Sequence, residues 1–391
     1  MKKPIIFLMF ALLLVSLIFS SPFFETNSNA VATGVDENSQ IQITAKSGML
    51  IDATSGTVVF EKNSHERLPI ASMTKIASLS IIFDALSKGL VHENDMVSVS
   101  ETAAGVGGSS AFLDAGSRYK LCDLISSVII ASANDSCVAL AEYVSGSEDV
   151  FVSKMNKLVS TLDLKDTHFE NCTGLPIKDH YSSAYDIAQI YKTICDNQMY
   201  RKYSKIWMED FIHPSGRKTG LVNTNRLIKT FDGIEGGKTG YTDLARFCLT
   251  ASAKRGSTRL IGVIIGANDS KTRFAEMSKL LNYGFSNFSN KVLVNSEIPI
   301  TIASFKNSKM KPEVYAERDS VMFLPKTDER TFTTDYQIYD KKAPLKAGDS
   351  IGKMFVFDEN NMVVDEMNLI VKTSVEEEKF KDMFKKLTEA W

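Results

Sequence analysis

The chain is poor in the residues from which most catalytic and metal sites are built. Its histidines, His65, His92, His168, His180 and His213, are scattered, and no Cys/His cluster stands at zinc-ligand spacing. Neither a histidine-based triad nor a metal site can be argued from them, and no cofactor is implied. Net charge is nearly absent at −2, which removes the electrostatic case for a nucleic-acid partner. Cysteine is sparse and odd in number: Cys122, Cys137, Cys172, Cys195 and Cys248 cannot all pair. They form no dense framework and read as small core hydrophobes. Long apolar runs are missing except from Pro4 to Phe19, which follows Lys2 and Lys3 and precedes the small-x-small Ala30-Val-Ala32. Residues 1–32 therefore read as an export signal, with an uncleaved membrane anchor as the alternative.

What remains is globular. The chain has 391 residues, 44% hydrophobic and 24% charged, with room for two domains. Residues 38–288 carry strands and helical stripes together. A hairpin is expected from Ala45–Asp52 and Thr57–Phe60, and helices near 76–86, 121–129, 150–162, 183–195 and 272–283. Buried strands are expected at 244–253 and 259–266. Residues 291–373 change texture, with short strands between charged turns, among them 298–302, 336–339 and 354–357. That is the pattern of a small all-β domain. From Ser374 to Trp391 the chain reads as an amphipathic helix, with Phe380, Met383, Phe384, Leu387 and Trp391 on one stripe. Such a helix lies in a membrane interface or packs on its own β domain; the export signal favours the membrane surface.

One stretch carries chemistry: Pro69-Ile-Ala-Ser72-Met-Thr-Lys75. In a helix, residues three apart share a face, so Lys75 could take the proton of the Ser72 hydroxyl. It can do so only as a neutral amine, which requires burial or a second cation to pull its pKa down. The pattern Ser-x-x-Lys alone is weak, since it recurs at Ser117/Lys120, Ser308/Lys311 and Ser350/Lys353 among others. Two further elements raise it. Ser132-x-Asn134 stands on a tight connection between two helical stripes, where Asn134 could also be a simple helix cap. Lys238-Thr239-Gly240 opens a glycine-rich edge strand facing a cleft, where a substrate backbone could approach closely. A second Lys-Thr-Gly, at Lys218, leads into a polar turn and is set aside.

Together these three elements, in this order, resemble those of β-lactamases and penicillin-binding proteins. The chain most closely resembles the low-molecular-mass penicillin-binding proteins of the serine D-Ala-D-Ala carboxypeptidase type (peptidase S11). The resemblance takes in Ile51-Asp-Ala-Thr-Ser-Gly56, Ala131-Ser-Ala-Asn-Asp135, Asn171-Cys-Thr-Gly-Leu175, Ser183-Ala-Tyr-Asp186, Gly237-Lys-Thr-Gly-Tyr-Thr242 and Pro344-Leu-Lys-Ala-Gly348. It departs at Ala133, Cys172 and Arg246.

The resemblance implies an α/β fold, a β-lactamase-like sheet flanked by helices, followed by the small all-β domain. It implies an exported enzyme at the outer face of the cytoplasmic membrane, acting on peptidoglycan stem peptides and inhibited covalently by β-lactams. Ser72 would be the nucleophile, Lys75 the base and Ser132 a proton relay. Asn134, Lys238, Thr239, Gly240 and Tyr241 would bind substrate, with the Ser72 and Tyr241 backbone N–H groups as oxyanion hole and Lys238 depressing Lys75. The rivals are a D,D-endopeptidase, a β-lactamase and a non-catalytic β-lactam sensor. Against the β-lactamase, Glu170 is followed by Asn-Cys-Thr-Gly rather than the Leu-Asn expected of a deacylating carboxylate.

Overall fold

Strand Ser47–Asp52 is buried throughout because it is paired on both edges and covered on both faces. In the computed structural model, which describes residues 41–379, it lies second in an antiparallel five-stranded sheet. The strand order is Val58–Lys62, Ser47–Asp52, Thr258–Ala267, Arg246–Arg255, Ile234–Thr242. Side chains alternate across such a sheet, and two cores follow from that. Met49, Ile51, Ile261, Val263 and Ile265 face the larger core, with most of the helices. Leu50, Leu249, Ala251, Leu260 and Ile264 face the other, under Met277, Leu280 and Leu281 of helix Ser270–Asn287.

The larger core holds helices Lys75–Ser87, Leu121–Ile130, Asn134–Ser145, Glu148–Thr161 and Ala184–Lys192. Their ends are written locally. Ser147 and Ser183 accept the orphan N–H groups of Val150 and Asp186 as N-caps, and Gly146 ends helix Asn134–Ser145 at φ +83. Beyond helix Ser270–Asn287, Phe288–Val294 pairs with Ser320–Pro325. The remaining strands form a second five-stranded sheet around Val314, Ile351, Val356 and Leu369. The mixed helix–sheet unit followed by an all-β unit is the expected fold class.

Several local expectations are corrected. Ser72 lies on a 3-10 turn, Ala71–Thr74, and the α-helix starts only at Lys75. Lys218 stands on a hairpin strand, Lys218–Val222, paired with Met208–Ile212, and the polar turn follows only at Asn223 to Asn225. The strand expected at 298–302 shrinks to Thr301–Ile302, and Glu313–Ala316 was not expected at all. Residues 374–379 are extended rather than helical: Val375 bridges Leu345 and Glu377 bridges Ser308. The rest of the expected tail helix, 380–391, and the expected signal segment, 1–32, lie outside the described residues. Among the described residues no helix is long and apolar enough to cross a membrane.

Candidate active site

The turn that presents Ser72 is held from two sides. Ala71 adopts φ +48, a conformation that costs a non-glycine residue energy and needs surrounding support. On one side the edge strand Ile234–Thr242 comes so close that a Cβ on Gly240 would lie 2.6 Å from the Ile70 carbonyl oxygen. On the other, a Cβ on Gly174 would lie 2.0 Å from the Ala71 carbonyl oxygen. Glycine is required at both contacts. A third support comes from below, where His180 Nε2 sits 2.8 Å from Thr74 Oγ1. His180 Nδ1 accepts the Glu170 N–H, so the ring proton is on Nε2 and donates to Thr74.

Lys75 Nζ lies 3.0 Å from Ser72 Oγ and donates to Asn134 Oδ1 at 2.6 Å and to the Thr173 carbonyl at 2.8 Å. The last two oxygens can only accept. A neutral Lys75 therefore spends both N–H bonds on them, and its lone pair is left to receive the Ser72 hydroxyl proton. Asn134 cannot turn its amide round, because Nδ2 donates to the Gly107 carbonyl at 2.6 Å. Asn134 is the first helical residue and does not cap; Ala133 occupies the N-cap without a side-chain bond. Burial pulls Lys75 down from 10.5 to about 8, against the opposing influence of Cys137, Cys172 and Asp135. At pH 7 roughly a tenth of the molecules then carry the free amine, against fewer than about one in a thousand for an ordinary lysine.

Ser132 adopts φ +64 in the link between helices Leu121–Ile130 and Asn134–Ser145, and this aims its hydroxyl at Lys238. Lys238 Nζ donates to Ser132 Oγ at 2.8 Å and to the Thr239 carbonyl at 3.0 Å. Burial first, then the Lys75 and Arg273 cations, hold Lys238 well below the ordinary lysine range. The expectation that the Lys238 charge depresses Lys75 is corrected accordingly: loss of water is the principal cause at both amines. Thr239, Gly240 and Tyr241 line the cleft of about 760 Å3 into which Ser72 and Ser132 open. The Tyr241 side chain is half exposed, with its hydroxyl on Asp243 and its ring tilted against Phe247, which also lines the cleft.

The structure thus brings Ser72, Lys75, Ser132, Asn134, Lys238, Thr239 and Gly240 into one site. Sequence reasoning missed Thr173, whose role belongs to a backbone oxygen that no side-chain pattern announces, and His180. The decoy Lys218 is an exposed partner of Asp210. Arg246 sits at φ +57 in the turn after the edge strand and donates to the Asn268 carbonyl. Glu170 turns away to His168, and no carboxylate is among the residues lining the cleft. All five cysteines are free thiols.

A sheet edge facing a serine that shares a buried pocket with two lysines defines a serine acyl-transfer enzyme of the penicillin-binding class. The comparisons agree: the family of D-alanyl-D-alanine carboxypeptidases (peptidase S11) matches residues 33–269, and the C-terminal domain of penicillin-binding protein 5 matches residues 288–377. The chain belongs to this D-alanyl-D-alanine carboxypeptidase family. It is 37% identical to D-alanyl-D-alanine carboxypeptidase DacF of Bacillus subtilis over 90% of this chain and 91% of the relative. To DacA of Escherichia coli it is 32% identical, over 87% and 85%. Among solved structures, penicillin-binding protein 5 of Haemophilus influenzae superposes at a TM-score of 0.68 with 32% identity, covering 88% of this chain and 100% of that one.

Proposed function

We propose that this chain is an exported serine carboxypeptidase that removes the terminal D-alanine from peptidoglycan stem pentapeptides. Ser72 Oγ attacks the carbonyl between the two D-alanines while Lys75 takes its proton. Ser132, held by Lys238, gives its hydroxyl proton to the leaving D-alanine nitrogen as the C–N bond breaks and takes the proton held by Lys75 in its place. Lys238 and Thr239 receive the substrate's terminal carboxylate, Asn134 its amide, and the Ser72 and Tyr241 N–H groups the oxyanion. Water then hydrolyses the ester; β-lactams acylate the same serine and leave slowly. The observation that carries this reading is the Lys75 amine between two acceptor-only oxygens with its free lone pair at Ser72. The cleft offers no carboxylate for rapid deacylation, which favours a carboxypeptidase over a β-lactamase.

Residues 38–288 would act as the catalytic domain and 291–373 as a β-rich spacer. The segment after residue 379, apolar at Phe380, Met383, Phe384, Leu387 and Trp391, would hold the enzyme on the membrane surface. The full-length chain, incubated with a D-Ala-D-Ala-terminated pentapeptide, should release D-alanine, and Ser72→Ala should not. Release by both proteins, or by neither, defeats the proposal. Deleting residues 380–391 should free a signal-cleaved form from membranes.

A further inference from the structure

The loop Asn171–Gly174 supplies the carbonyl that receives Lys75, and the same loop is gripped by three helices at the residue before it. Asn171 folds the loop on itself: its Oδ1 accepts the Thr173 N–H at 3.1 Å, the Thr173 hydroxyl at 3.2 Å and the Gly174 N–H at 2.7 Å. The backbone of Cys172 is then fixed at both ends. Its N–H donates to Glu148 Oε1 at 2.9 Å, at the start of helix Glu148–Thr161. Its carbonyl accepts the Ser78 hydroxyl at 2.6 Å, one turn beyond Lys75 on the same helix, and the Cys137 thiol at 3.3 Å. Ser78 and Cys172 are both buried.

We infer that Ser78 and Glu148 are positioning residues for the reaction. Gripping the Cys172 backbone at its N–H and its carbonyl, they hold the next carbonyl, that of Thr173, on the Lys75 amine. The inference rests on the carboxypeptidase reading above. Neither side chain touches substrate or the reacting atoms. Their effect passes through one carbonyl, and it has a signature that simple loss of stability lacks. An accepting oxygen favours the ammonium over the amine, because a charged N–H donates more strongly. When the loop loosens, Lys75 loses that support and titrates lower. Its lone pair also loses the acceptor that turned it toward Ser72.

The groups that face Lys75 are Asp135 and Cys137 on helix Asn134–Ser145, Cys172 on the loop and Lys238 on the edge strand. Replacing Ser78 or Glu148 leaves all of these in place. Glu148 does act on the Cys137 and Cys172 thiols through its charge, so a variant that keeps its oxygen without its charge is needed.

The test is the rate of acylation of the full-length protein by a fluorescent penicillin, measured from pH 5 to 10. Ser78→Ala and Glu148→Ala should each move the midpoint to lower pH by about half a unit or more, and lower the limiting rate about tenfold. Glu148→Gln, which still accepts the Cys172 N–H, should match the parent. The inference is overturned if Ser78→Ala and Glu148→Ala keep the parent's midpoint, whatever happens to their limiting rates. It is overturned equally if Glu148→Gln behaves as Glu148→Ala, since charge rather than the grip would then be responsible. A parent that is not acylated at Ser72 defeats the reading of function; an acylated parent with unaltered variants defeats the grip alone.

Discussion

The same four-residue pattern occurs in both halves of this molecule and does opposite things. Ser72 and Lys75 stand one turn apart at a helix start, and Lys75 is buried without an acidic partner within bonding reach. Ser350 and Lys353 lie on strand Ser350–Phe357 with a bulge between them, opposite Ile370 and Asn368 on the outer face of the sheet, with no helix to set them one turn apart. Lys353 is exposed to water and pairs with Glu366, which raises its pKa, whereas burial lowers that of Lys75. The two Lys-Thr-Gly segments divide in the same way. Lys238 is buried against Ser132, and Lys218 is exposed against Asp210. Reactivity here is a property of the surroundings: which element carries the pair, and whether water and counter-charge are kept away.

That contrast breaks most visibly at the bases. Lys75→Met should lower the rate of penicillin acylation by about a hundredfold to ten-thousandfold, the usual worth of a general base, while Lys353→Met leaves it unchanged. Stopped-flow acylation of both variants checks this, and comparable losses would erase the distinction. Next in size is Lys238→Gln, expected to reduce D-alanine release about a hundredfold by removing a preorganised cation from the cleft, with Lys218→Gln neutral. Glycines sharpen the same comparison sterically. Gly174→Ala pushes a methyl into the Ala71 carbonyl at φ +83, so acylation should fall and the melting temperature with it. Gly105→Ala meets nothing within 4 Å and should alter neither. The smallest expected effect is the pH dependence of the unmodified enzyme. Because Lys75 must lose its proton to act, acylation should rise with pH through about 8 and level off above it. A profile flat from pH 6 to 9 would contradict the assignment.

Much of this was legible in the chain because the chemistry is carried by side chains at fixed spacing. Three short motifs marked the proposed nucleophile, the proposed relay and the cationic strand, and the apolar patterns placed them on a helix start, an interhelical link and an edge strand. The missing parts are those the backbone supplies. Thr173 contributes a carbonyl, so its side chain gives no hint. The 3-10 turn at Ala71–Thr74 depends on close contacts from Gly174 and Gly240, residues far away in sequence. No strands were expected at Met208–Ile212 and Lys218–Val222, where charged residues and Gly220 interrupt the alternation. Which of burial and a second cation dominates at Lys75 was not legible for a related reason: the motif shows the second lysine, whereas the extent of burial emerges only in the folded chain.

The most direct test is the titration of Lys75 itself. In Ser72→Ala protein labelled with nitrogen-15 at lysine, the Lys75 Nζ resonance, assigned by its loss in a Lys75→Arg variant, should titrate with a midpoint of about 8. A midpoint at the ordinary lysine value of 10.5 would mean that the amine stays charged throughout the working range, and the account of Ser72 activation would be wrong.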